Sequence, residues 1–94
     1  MGIEQIRPVE KFPQTLYKTA KAPVSWGEGV VVWVEVTKNE DKTYNVEAKI
    51  EDPQEVLGDV MDFLPTSIMN LEDATKAKKE ADKLFENRDK WAGQ

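Results

Sequence analysis

Residues 27 to 36 read GEGVVVWVEV, which places five valines and Trp33 in ten positions. β-Branched and aromatic side chains suit a pleated strand, and consecutive side chains on a strand point to opposite faces. Both faces of this strand are therefore apolar over most of its length, in a chain that is 33% charged. Such a strand needs a cover on each side, or a partner. What lies against the second side is the question on which a functional reading turns.

Val30 to Val36 pairs naturally with Tyr44 to Ile50 as an antiparallel hairpin. The second run alternates, with Tyr44, Val46, Ala48 and Ile50 on one side and Asn45, Glu47 and Lys49 on the other. The intervening TKNEDKT is polar, and its Asn39 and Asp41 suit turn geometry. Two strands alone are marginal in water, so a third strand or a helical cover is required.

Asp52-Pro53-Gln54-Glu55 reads as a helix start: Asp52 caps, Pro53 sits where its missing N–H costs nothing, and Glu55 completes a capping box. A short helix, Pro53 to Leu64, is expected from the stripe Val56, Leu57, Val60, Met61 and Leu64. Gly58 weakens it by about 1 kcal/mol, and Pro65 ends it. Val60 to Met69 also has the composition of a third strand, but the capping arrangement favours helix. A longer helix is expected over Asn70 to Lys90, with the apolar stripe Leu71, Ala74, Ala77, Ala81, Leu84 and Phe85. Glu72–Lys76 and Glu86–Lys90 are spaced as i,i+4 ion pairs. Trp91 is placed to fold back onto the core.

Residues 1–27, broken by Pro8, Pro13 and Pro23, read as an N-terminal arm wrapped on the domain. Ile3, Ile6, Val9, Phe12, Leu16 and Tyr17 would anchor it. The expected fold is thus a single α+β domain over residues 1–94. It has two layers, an antiparallel hairpin (28–50) or three-stranded sheet packed against one long C-terminal helix (70–90), flanked by the short helix (53–64).

Histidine and cysteine are both absent. That removes disulfides, Ser-His-Asp and Cys-His catalysis, and the nitrogen and sulfur ligands of an ordinary zinc site. No cofactor motif occurs: Gly27-Glu28-Gly29 precedes its strand, whereas a phosphate-binding loop follows one. No D-x-[DN]-x-[DN]-G calcium loop is present either. The expectation is a protein that is not an enzyme and uses no cofactor or metal. The charged start of the chain and the lack of a long apolar run give cytoplasmic residence without a membrane span as the expected location.

The net charge is −5. Between Glu28 and Asp62 ten carboxylates stand against three lysines, while Lys76 to Arg88 and Lys90 form a mixed but more basic segment. Glu51, Asp52, Glu55, Asp59 and Asp62 are assigned as an acidic surface. Paired-carboxylate catalysis there would need burial that a solvated helix face does not provide.

Val30, Val32, Val34 and Val36 match the packed side of the second strand, which leaves Val31 and Trp33 on the other side. With Trp26 and Glu35 they make up the expected interface, since tryptophan buries much area at low entropic cost. The reading of function is a small acidic protein-binding or regulatory module acting through this face. Its partner is a second copy, as a homo-oligomer, or another protein. The alternative is a nucleic-acid-related role, as an acidic DNA mimic or as a weak binder through the basic helix that carries Lys76, Lys78, Lys79, Lys83, Arg88 and Lys90. Direct nucleic-acid binding is disfavoured by the acids Glu80, Asp82, Glu86 and Asp89 interleaved with those lysines.

Overall fold

A computed structural model describes residues 12–93. The α+β architecture expected from the sequence is the one observed, with a larger sheet. Five strands occur in the order β1 (Gln14–Lys18), β2 (Ala22–Val24), β3 (Gly27–Lys38), β4 (Tyr44–Glu51) and β5 (Ile68–Leu71). One helix, α1 (Ala74–Glu86), follows, and 3₁₀ segments occupy Val60–Phe63 and Arg88–Gly93.

β3 is the axis of the sheet. β4 pairs antiparallel along it from Val31↔Glu51 to Lys38↔Tyr44, the hairpin register expected from the alternation. Its turn is closed by the Asn39 N–H donating to the Thr43 carbonyl and by Asp41, which accepts from both the backbone and the hydroxyl of Thr43. On the other side of β3, β2 pairs with its first half and β1 with its second, both antiparallel. β5 completes the sheet beside β4.

The N-terminal segment therefore differs from the wrapped arm expected of it. From Gln14 onward it lies beside β3, in the sheet. Pro23 is accommodated because β2 is an edge strand, where a missing N–H costs little. The anchors Ile3, Ile6 and Val9 lie outside the described residues. Gly29 adopts a left-handed φ of 77° within the irregular pairing of β2 and β3, a conformation open to glycine without steric cost.

The helix expected over Pro53–Leu64 does not form. Asp52 does bind two amides, accepting from Val56 and Leu57 at 2.9 Å each. The backbone then turns left-handed at Glu55 (φ 54°) and again at Gly58 (φ 76°), which no right-handed helix accommodates. Only Val60–Phe63 is helical, as one 3₁₀ turn. The long helix begins later than expected, because Asn70 and Leu71 belong to β5; Asp73 is the N-cap and accepts from Thr75 N–H. It ends at Glu86, and the 3₁₀ segment carries the chain on to Gly93.

The core lies between the sheet and these helical segments. Val30, Val32, Val34, Val36 and Val46 are fully buried, and Ala77 and Ala81 bring α1 close against them. Burying each such valine stabilises by about 1.5–3 kcal/mol. Trp91 folds back as expected and is buried, its indole N–H donating to the Leu84 carbonyl. The β2–β3 turn is fastened to the same end of the molecule: Ser25 N–H donates to Asp89 and Arg88 Nε to the Pro23 carbonyl.

Candidate functional site

The strand that raised the question has one fully packed face and one half-buried face. Its even-numbered valines pack in one cluster with Ala77 and Ala81 of α1 and with Trp91, while Val31, Trp33 and Glu35 point the other way and are only partly buried. Register sets their neighbours. Pro23 and Glu51 flank Val31, Lys49 pairs with Trp33, and Lys18 and Glu47 flank Glu35.

Charged side chains frame the indole at the centre. The Lys21 ammonium stands 4.8 Å from the centroid of the Trp33 ring and 3.0 Å from Glu51 Oε2. The Trp33 N–H donates to Glu35 Oε2 at 2.8 Å. Thr15 Oγ1 donates to the other oxygen of Glu35 at 3.5 Å, and Lys49 pairs with Glu47 at 3.7 Å. These contacts orient the ring without deeply burying it. Lys21 and Glu51 keep 57% and 50% of their side-chain surface exposed, so their pairing contributes at most about 1 kcal/mol.

Of the four expected interface residues, three share this face and one does not. Trp26 packs at the rim of the core on the helical side, its ring stacked on Phe63 at 5.3 Å and its N–H donating to the Arg88 carbonyl at 2.8 Å. Of the five acidic residues, Glu51 alone belongs to the Trp33 face. Asp52 holds the Val56 and Leu57 amides, Glu55 and Asp59 lie in the following loop, and Asp62 sits in the 3₁₀ turn. With no helix over 53–64, Glu55, Asp59 and Asp62 have no common helical face. Lys21 was not singled out from the sequence, because its place over Trp33 depends on β1 and β2 flanking β3. Lys49 was legible as an outward residue of the hairpin.

Elsewhere, a depression of about 390 Å³ lies where β5 meets α1, lined by Asn70, Leu71, Glu72, Asp73 and Lys76. It has no residue in common with the Trp33 face. Among the described residues no cluster of carboxylates is arranged to hold a metal ion, and no helix is long and apolar enough to cross a membrane. Neither expected helical ion pair, Glu72–Lys76 or Glu86–Lys90, closes within 4 Å; among the described residues the ion pairs are Lys21–Glu51 and Lys49–Glu47. No known protein family, characterised protein or solved structure matches the chain significantly.

Proposed function

We propose that this protein is a non-enzymatic binding or regulatory module that makes protein contacts through the outer face of β3 and β4, centred on Val31 and Trp33. The observation that carries the reading is the position of Trp33. The indole is held by Lys21 and Glu35 on the side of the sheet opposite α1, Trp26 and Trp91. A rigid aromatic surrounded by charge is the composition of a contact centre with a polar rim.

Size constrains the kind of contact. Three strand spacings by eight residue rises cover roughly 400 Å², against about 800 Å² per partner in a standard stable interface. A contact of this extent is weak and exchanging, which suits regulation more than permanent assembly. Solution mass by light scattering across a range of protein concentrations tests the reading. Association that rises with concentration and disappears in a folded Trp33→Asp variant supports it. A chain that stays monomeric, with a Trp33→Asp variant that unfolds, refutes it.

A second reading, weak nucleic-acid binding by α1, draws support from one arrangement. Two of the interleaved acids are engaged elsewhere, Asp82 by Tyr17 and Asp89 by Ser25. Lys76, Lys79 and Lys83, spaced i, i+3 and i+7 and thus along one flank of the helix, have no carboxylate of the described residues within 4 Å. Retention on DNA at low salt, lost when these three charges are reversed, would favour it over the first.

A further inference from the structure

The contact that holds Lys21 has the form of a recognition site already filled by a group of the chain's own. An ammonium lies over an aromatic ring at 4.8 Å and against a carboxylate at 3.0 Å, which is how an aromatic and an acid together bind an organic cation. Lys21 comes from Thr19–Lys21, the short link between β1 and β2. That link is fastened through its other end, where Thr19 N–H donates to the Val34 carbonyl and the Thr19 hydroxyl accepts from Val34 N–H. Release of the Lys21 side chain therefore leaves the backbone in place.

We propose that the Trp33–Glu51 corner is a binding site for the guanidinium of an arginine-bearing, basic segment of a partner protein, and that Lys21 occupies it in the free molecule. The inference rests on the proposed contact face and adds the chemistry of the partner. Three features support this occupant, and the second selects arginine over lysine. The Lys21 pair is half exposed, so each of its contacts is weak and exchangeable. A planar guanidinium stacks on an indole and engages a carboxylate with two N–H groups, whereas the Lys21 ammonium offers a single point charge. The net charge of −5 favours the approach of basic partners, and Glu51 supplies the carboxylate at the corner itself. Lys21 then acts as a competitor that sets a threshold: a lone lysine side chain gains nothing by replacing it, and an arginine does.

The test is a titration of the ¹⁵N-labelled protein with hexa-arginine peptide at physiological salt, following the Trp33 indole N–H and the amides of β3 and β4. The expected result is a shift centred on Trp33, Val31 and Glu51, with weaker binding of hexalysine at the same peptide charge. Lys21→Ala should bind hexa-arginine about two- to five-fold more tightly than the unaltered chain, the factor of one exposed cation–π contact. Lys49→Ala removes an equal charge from the same face without vacating the site, and should tighten binding by less. Glu51→Gln should weaken it. Equal affinities for Lys21→Ala and Lys49→Ala, or shifts confined to residues 52–62, would reduce the effect to general charge attraction and overturn the site. Unmoved Trp33 signals, alongside self-association that Trp33→Asp abolishes, would overturn the guanidinium site and leave the contact face standing.

Discussion

The hydroxyl of Tyr17 donates a 2.6 Å hydrogen bond to Asp82, joining the edge strand β1 to α1 across 65 positions of sequence. The bond to this carboxylate, with smaller contributions from desolvation and from the Asp82 charge, holds the tyrosine pKa above its ordinary value. A raised folded-state pKa means that the stabilisation is complete below the unfolded value, near 10, and is lost as pH rises through the folded value. Tyr17→Phe is therefore expected to lower stability at pH 7 by about 0.5–1 kcal/mol, the net worth of an exposed hydrogen bond. In urea unfolding, the gap between variant and parent should close above pH 10.

Asp89 behaves in the opposite sense. Its carboxylate accepts the Ser25 N–H at 2.9 Å, and this bond holds its pKa below the usual carboxylate value. The contribution is present above the unfolded pKa, near 3.9, and disappears as pH falls through the folded one. Asp89→Ala should lower the denaturant midpoint at neutral pH and flatten the acid limb of the stability profile below about pH 4. An acid limb identical to the parent's would show that the β2–β3 turn is not fastened by this bond.

Thr37 offers a gain of stability. It lies in β3 with only 5% of its surface exposed, and its hydroxyl has no hydrogen-bond partner among the described residues. Its cross-strand neighbour Asn45 is also buried but satisfied, exchanging amide bonds with Asn39 and accepting from Asn70 N–H. Thr37→Val keeps the branched shape and removes the stranded hydroxyl, so thermal unfolding should report about 1 kcal/mol of added stability.

The hairpin of β3 and β4 was legible because its side chains alternate without interruption, and the packed face of α1 because Ala77, Ala81 and Leu84 recur at helical spacing. The other strands were not legible, for identifiable reasons. β1 changes register between Thr15 and Tyr17, which breaks the two-residue period at Leu16. β2 is three residues long and contains Pro23. β5 is irregular between its pairings with Tyr44 and Val46, and its Asn70 has a left-handed φ of 61°. The stretch from Asp52 to Leu64 misled through a genuine local feature: Asp52 caps two amides, but they belong to a loop. For the site, alternation alone separated Val31 and Trp33 from the packed valines. Lys21 required the long-range pairing of strands that carry no periodic signal.

The proposed contact face and the guanidinium site both depend on the sidedness of β3. Thermal unfolding of Trp33→Asp beside Val34→Asp, neighbouring residues on opposite faces of one strand, measures that sidedness most directly. Burial of an unpaired carboxylate at Val34, which is fully buried, should abolish the cooperative transition. Trp33→Asp should keep that transition, with a loss of about 1–2 kcal/mol for the strand preference and surface contacts given up. If Trp33→Asp unfolds the chain as completely as Val34→Asp, the indole belongs to the core and the outer face is not a contact surface.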